Sequence, residues 1–169
     1  MTLLMTGLQM TQVYENLMAE FEQRFPDIAD ELGHENLTRF LDACVVVDLP
    51  EGRQLFRDRM QVESLYMLLE GEMVATVEGA ARNRGSGSLT VGHIRPGAWL
   101  GEVAVLSGDM HASATVTTLT RCRALKIHSQ DFERFVLYDE DISHVLLGHL
   151  VDMLAQRLRE SHAVEETLN

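Results

Sequence analysis

The sequence predicts a mainly β fold with flanking α-helices, in which short strands form a sandwich or roll. Helical patterns at the start, a series of short strand-like segments in the middle and helical patterns at the end predict this order. With 169 residues, 46% of them hydrophobic, the chain can enclose one hydrophobic core. We therefore expect a single domain, with an N-terminal helical segment at 1–42, a β-roll at 43–129 and C-terminal helices at 130–169.

Two helices are predicted in the N-terminal segment. Apolar side chains recur at helical spacing over residues 11–25, and Pro26 breaks the pattern. A second helical stretch covers residues 28–41, with a break at Gly33. Residues 1–10 are apolar but lack the basic region and cleavage site of a signal peptide, so we expect a loosely packed leader there.

The middle of the chain has the sequence pattern of short β-strands. From Cys44 onward, short β-branched and apolar runs alternate with turn residues, which is typical of a sandwich or roll. The runs are CVVVDLPEG, RQLFRD, ESLYMLLEG, EMVATVEG, SLTVGHIRPG, ASATVTT and RCRALKIH. Between two of them lies GAARNRGSGS, whose Gly, Ser and Arg content predicts a loop that connects two strands.

Helical spacing returns after Ser129. A short helix is predicted around 132–136 and a longer one over about 141–160. The longer helix carries a broad apolar stripe that consists of Leu146, Leu147, Leu150, Val151, Met153, Leu154 and Leu158. The stripe packs either on the protein's own β-roll or on the same helix of a second subunit, and the second packing predicts a homodimer through 141–160.

Composition and charge exclude several classes of protein. The formal net charge is −12, so a nucleic-acid backbone would repel the molecule and we expect no direct nucleic-acid binding. No window approaches the roughly 18 uninterrupted apolar residues of a membrane span. The two cysteines, Cys44 and Cys122, lie inside apolar runs and are predicted to be buried thiols of a reducing cytosol. We expect a cytoplasmic protein.

Glycines punctuate the strand region at Gly52, Gly71, Gly97 and Gly101, where sharp turns or close backbone approach favour them. Their spacing, with the segments EGRQLF, ESLYMLLEGEMVATV, IRPGAWLGEVAVLSG, ASATV and CRALKI, resembles the cyclic nucleotide-binding domain. Catabolite activator protein, protein kinase A regulatory subunits and nucleotide-gated channels share this domain. The resemblance covers roughly residues 37–160. It implies a jelly-roll-like β-barrel, or double-stranded β-helix, with N-terminal helices and a long C-terminal helix.

The resemblance also implies a phosphate-binding cassette within the β-roll. In this family the cassette begins at a Gly-Glu pair, which is matched here by Gly101 and Glu102. The carboxylate of Glu102 would accept a hydrogen bond from the ribose 2′-hydroxyl. Backbone N–H groups near Val103 and Ala104 would face the cyclic phosphate.

The family's phosphate-binding arginine is replaced in this chain. Residues 101–158 align without gaps with the catabolite activator type, which places Ala112 at the arginine position, followed by Ser113. A shift of one residue would place His111 there, but imidazole cannot make the bidentate contact. Losing such a charge-assisted pair costs about 2–5 kcal/mol. We therefore expect a degenerate cassette, with a cyclic nucleotide as its possible ligand and no cofactor.

Further candidates follow from the same resemblance. The catabolite activator type touches adenine with a Thr-Ser pair on the long helix, and the matching Arg157 and Leu158 are the possible base-side contacts. Trp99 either stacks on a base or packs in the core or a dimer interface. Four other arginines either reach the pocket in place of the missing one or are solvated surface charges: Arg82, Arg84, Arg121 and Arg123.

Catalytic signatures are missing from the sequence. It contains no P-loop, no nucleophile elbow and no HxH pair of the kind that cupin metalloenzymes use, so we predict no catalytic residue and no metal. The chain ends at Asn169, too soon after the long helix for the helix-turn-helix of catabolite activator relatives. We expect a stand-alone regulatory or sensory module in signal transduction, acting through contacts with an unknown protein partner. The alternatives are a functional cAMP or cGMP sensor, the regulatory domain of a longer transporter, channel or transcription regulator, or a cupin-like enzyme.

Overall fold

The computed structural model describes residues 7–78 and 87–167, with side chains at 12–78 and 87–160. Helices α1 (Gly7–Arg24) and α2 (Pro26–Asp42) form the N-terminal part. The predicted break in the second helix is confirmed, because Gly33 has φ 69° and ψ 170°, outside the helical region. The last four residues of the segment expected to be a loosely packed leader are helical, and the burial of their side chains lies outside the described residues. These four residues continue α1 toward the N-terminus, as the good helix formers Leu8 and Met10 allow.

Eight short strands follow in the described part of the chain, as the alternation of apolar runs and turns predicts. They are β1 (Val45–Leu49), β2 (Gln54–Phe56), β3 (Ser64–Glu70), β4 (Met73–Glu78), β5 (Ser88–Ile94), β6 (Trp99–Leu100), β7 (Thr115–Thr118) and β8 (Cys122–His128). The short helix α3 (Glu102–Ser107) lies between β6 and β7. Most of the connection between β4 and β5, where a loop is predicted, lies outside the described residues.

The strands form two four-stranded sheets in the orders β1-β8-β3-β6 and β2-β7-β4-β5, and every pair is antiparallel. The mainly β, jelly-roll-like fold is therefore confirmed. The expected barrel does not close among the described strands: β1, β6, β2 and β5 are edges. A barrel closes only where edge strands pair with one another, and no such pair joins the two sheets among the described strands.

Strand β3 separates two hydrophobic cores. Alternate side chains along a strand point to opposite faces of its sheet. Leu65 and Met67 pack with the helices, whereas Leu68 packs between the two sheets. The helical core also contains the fully buried rings of Phe21 and Phe40. The sheet containing β3 is thus buried on both faces, with helices on one side and the second sheet on the other.

Gly71, between β3 and β4, allows two backbones to approach closely. Its φ is +92°, and a Cβ atom built there would lie 2.4 Å from the Arg121 carbonyl oxygen and 2.6 Å from Cys122 Sγ. Only glycine fits this turn without displacing backbone. The sequence expectation of close approach is therefore confirmed at this glycine.

The C-terminal helices are α4 (Ser129–Tyr138) and α5 (Glu140–Thr167). The apolar stripe of α5 divides between two faces. Leu146 and Leu150 are fully buried in the helical core, so packing on the protein's own core is confirmed for that face. Leu147 and Leu154 are half-buried, and Val151 is 61% exposed. The dimer predicted from the stripe stays a prediction and concerns the second face.

The two thiols differ in burial. Cys122 lies in the central strand β8 and is buried, as predicted, whereas Cys44 is only half-buried. Cys44 precedes β1, an edge strand of its sheet, and this explains why the apolar run around it does not bury it fully. No helix in the described ranges is long and apolar enough to cross a membrane.

Candidate ligand site

The cassette begins at a sharp turn between β6 and α3. Gly101 has φ +82°, and a Cβ atom there would lie 2.9 Å from the Ser64 carbonyl oxygen and 3.1 Å from the Phe56 ring. Because glycine alone tolerates both constraints, the chain can pass close to β3 before α3 begins at Glu102. The turn points the start of α3 into the space between the second sheet and α5.

A cavity of about 840 Å³ fills that space. Its wall is largely apolar and includes Phe56, Val62, Ala75 and Val116 from the strands and turns. Helix α5 contributes the residues that close one side: Met153, Gln156, Arg157 and Glu160. The residues predicted for the cassette all line the cavity, namely Gly101, Glu102, Val103, Ala104, Ala112 and Ser113. Their role in binding a ligand stays a prediction.

Ala112 has a fixed backbone and contributes only a methyl group. Its N–H donates to the Met60 carbonyl oxygen at 2.8 Å, and its carbonyl accepts from the Arg59 N–H at 2.8 Å. The residue is 8% exposed. His111, the alternative for the arginine position, does not line the cavity. Its ring Nδ1 lies 2.6 Å from the Asp109 carbonyl oxygen, and the side chain is exposed.

Glu102 is a buried carboxylate with a cationic partner from α5. It is 2% exposed, and Arg157 Nη1 donates to its Oε1. Arg157 Nη2 also donates to the Trp99 carbonyl oxygen at 3.2 Å. Burial raises the pKa of Glu102, and the charge of Arg157 opposes that rise. The acceptor that the resemblance assigns to a ribose hydroxyl is thus held by the protein's own guanidinium.

The remaining arginines lie in different places. Arg121 is paired with Asp48 at 3.6 Å and Arg123 with Glu20 at 3.2 Å, and neither lines the cavity. Arg121 is exposed, whereas the Nε atom of Arg123 is buried. Arg82 and Arg84 lie outside the described residues. Arg95, which the sequence reasoning did not consider, lines the cavity and has an exposed side chain. Its position before the Pro-Gly turn that leads into β6 was the available signal.

The two predicted base-side residues have different surroundings. Arg157 lines the cavity, whereas Leu158, the next residue on α5, is exposed and outside the cavity lining. Trp99 is 3% exposed, and its ring meets those of Phe25 and Phe132 edge-on at 6.5 and 6.3 Å. For Trp99 the core alternative is therefore confirmed.

Metal-ligating side chains are dispersed in the described part of the chain. There, no three His, Cys, Asp or Glu residues are grouped so that they could hold a metal ion. His93 lines the cavity. The cassette carboxylate, Glu102, accepts a hydrogen bond from Arg157.

Comparisons with known structures agree on the fold. A cyclic nucleotide-binding domain from Methylobacillus flagellatus superposes with a TM-score of 0.74 at 18% identity, covering 86% of this chain and 82% of that one. The catabolite activator protein of Thermus thermophilus superposes with a TM-score of 0.68 at 20% identity, covering 84% of this chain and 62% of that one. The regulatory domain of Toxoplasma gondii protein kinase A, solved with cAMP, has a TM-score of 0.66 at 18% identity, covering 84% of this chain and 51% of that one.

These identities are low enough that the superpositions show the fold alone. The chain spans less than two thirds of the Thermus protein and about half of the Toxoplasma chain. No curated protein matches it by sequence. The family model described as the cyclic nucleotide-binding domain matches residues 46–139, more than half of the chain. The chain therefore belongs to the cyclic nucleotide-binding domain family.

Proposed function

We propose that the chain is a cytoplasmic regulatory module whose site does not bind cyclic nucleotides at signalling concentrations and which acts through protein contacts. The observation that carries the proposal is Ala112. Its methyl group lies in the cavity wall where the family resemblance calls for a guanidinium, and the backbone there is fixed by hydrogen bonds to Arg59 and Met60. We expect the module to regulate a protein partner rather than to catalyse a reaction.

A cyclic phosphate beside Ala112 would lack its cationic partner. Placing an anion in a largely apolar wall is costly unless a charge or hydrogen bonds compensate it. We expect the missing pair to cost about 2–5 kcal/mol of binding free energy, which lowers the affinity by a factor of roughly 30 to several thousand. Arg157 is engaged by Glu102 and does not supply a free charge. The cavity is thus poorly matched to a phosphate ester.

The partner surface that we propose lies on α5. Leu147, Val151 and Leu154 follow one another at spacings of four and three residues, the spacing of a coiled-coil seam. Val151 is exposed at the centre of this set, whereas the opposite face of α5 is buried in the core. We propose that a second copy of the chain covers this face, giving a homodimer with α5 at its centre.

A second candidate function is a working sensor of a cyclic nucleotide or another small anion. The observation that favours it is the cavity itself, which retains Glu102 and Ser113 and has Arg95 in its lining with an exposed side chain. In that case Arg95 would take the part of the missing arginine. A protein kinase A regulatory domain of the same fold has been solved with cAMP, so the architecture is compatible with such a ligand.

Installing the missing arginine tests the first function. Calorimetric titration with cAMP should show saturable binding to Ala112→Arg, at least tenfold tighter than to the unchanged protein. His111→Arg is the matched control, because it adds the same charge one residue away on a side chain outside the cavity, and it should not gain binding. Micromolar binding by the unchanged protein, lost in Arg95→Ala, would instead establish the second function.

A further inference from the structure

Arg157 links the outer part of α5 to the start of the cassette. Its guanidinium donates to two acceptors of the β-roll, Glu102 Oε1 and the Trp99 carbonyl oxygen, which flank Gly101 on either side. A planar guanidinium can satisfy two such acceptors at once. The contact joins residues 55 positions apart, so it ties the helix to the turn on which the cavity is built.

The ion pair satisfies a group that would otherwise be buried without a partner. Glu102 is almost fully buried, and Arg157 is the cation that contacts its carboxylate among the described residues. A buried charge that loses its partner is strongly unfavourable. The side chain of Arg157 is 45% exposed, so it can leave the site for solvent without unfolding the helix. The cost of separation therefore falls mainly on Glu102.

Among the described residues, the second half of α5 is less buried than the first. The fully buried anchors of the helix, Ile142, Leu146 and Leu150, all lie in its first half. In the stretch 151–160, where side chains are described, no residue is buried. Met153 packs on the helical core from the edge as a partly buried side chain. The hydrogen bonds of Arg157 thus attach this less buried half of the helix to the β-roll.

We propose that the Arg157–Glu102 pair is an internal latch, which holds the outer turns of α5 across the mouth of the cavity. The guanidinium of Arg157 thus occupies the position beside the Glu102 carboxylate, where a donor group of a ligand would otherwise bind. Met153, Gln156 and Glu160 line the cavity beside it, so the latched turns form one of its walls. A ligand whose donor groups need Glu102 has to displace Arg157 first, and that displacement would free the helix.

The latch goes beyond the proposed function and does not depend on it. It concerns how α5 is attached at the cavity, whether or not a nucleotide binds. Displacement of Arg157 would change the mobility of the surface that carries Val151. Occupation of the site and the contacts of α5 would then be coupled through one ion pair.

Hydrogen exchange of the full chain without ligand tests the latch. Arg157→Gln should accelerate exchange of the amides of residues 152–160 on the order of tenfold, as expected for the loss of one charge-assisted hydrogen bond. Arg159→Gln removes the same charge from the same exposed helix segment and should leave these amides unchanged. The amides of β8 report on global stability and should accelerate in Arg157→Gln, because buried Glu102 loses its partner there, but not in Arg159→Gln.

A double-variant comparison distinguishes a latch from two independent effects. Glu102→Gln should accelerate the same amides, and Glu102→Gln with Arg157→Gln should exchange no faster than the more affected single variant. If Glu102→Gln unfolds the protein, Arg157→Gln against Arg159→Gln decides alone, since Arg157 is half exposed. Unchanged exchange at 152–160 in Arg157→Gln would overturn the latch and leave the proposed function untouched.

Discussion

The N–H of Ala112 donates to the Met60 carbonyl oxygen at 2.8 Å, and this hydrogen bond fixes where the cassette presents its side chain. The next residues toward the C-terminus, Ser113 and Ala114, also line the cavity. A residue in such a bonded position cannot turn away when its side chain changes. We therefore expect a side chain introduced at position 112 to face the cavity, which is the geometry on which the Ala112→Arg test depends.

Stability should depend on pH through Glu102. Burial raises its pKa above the ordinary value of 4.5 despite Arg157. A carboxyl group with a raised pKa in the folded state contributes stability below pH 4.5 and loses that contribution as pH rises through the folded pKa. The free energy of unfolding of the unchanged protein minus that of Glu102→Gln should therefore fall as pH rises from about 4 to 8. Urea titrations measure it, and a difference that grows with pH would contradict the prediction.

Gly71→Ala should be among the most destabilising glycine substitutions. The new Cβ would meet the Arg121 carbonyl oxygen at 2.4 Å at a φ of +92°, combining a backbone clash with conformational strain. We expect a loss of about 3 kcal/mol or more in urea unfolding. Gly52→Ala separates the two effects, since its φ is +75° but nothing lies within 4 Å, and about 1 kcal/mol is expected. Equal losses in both variants would remove the role of close approach.

Val151→Glu should dissociate the proposed dimer. A charge at the centre of an apolar seam loses hydration on association without gaining a partner. Sedimentation equilibrium at tens of micromolar should give a dimer for the unchanged protein and a monomer for Val151→Glu. Val13→Glu makes the same change at an exposed valine of α1 and should leave the dimer intact. A monomeric unchanged protein would contradict the seam.

Neither thiol should react in the folded protein at pH 8. Cys44 is half-buried as a residue, but desolvation of its thiol, with a smaller effect from Asp131, raises its pKa to about 12. Burial also raises the pKa of Cys122. Thiolate is the reactive form, so labelling with iodoacetamide should be at least about 100-fold slower than in denaturant. Rapid native labelling of one cysteine, located by peptide mass mapping, would show that burial does not control its chemistry.

The elements of the fold were predictable because each depends on a local pattern. Apolar spacing predicts α1 and α2, and the conformational freedom of glycine predicts the break at Gly33. The α5 stripe was harder to interpret. Leu150 and Val151 are adjacent in an apolar run, and only the position of the helical core shows that the first is buried and the second exposed.

The candidate site was predictable where a motif carries it. The Gly-Glu pair and the Ala112-Ser113 pair follow from the family resemblance, and these residues line one cavity. The partner of Glu102 was not predictable, because it depends on where α5 passes the cassette, 55 residues later. For the same reason the sequence left two roles open for Trp99, and the contacts of its ring with Phe25 and Phe132 favour core packing.

Isothermal titration calorimetry of the unchanged protein with cAMP, followed by cGMP, tests the central claim most directly. Without a guanidinium at position 112, neither nucleotide should give saturable heat up to millimolar concentration. Saturable binding at micromolar concentration would contradict the claim and would show that another basic residue binds the phosphate.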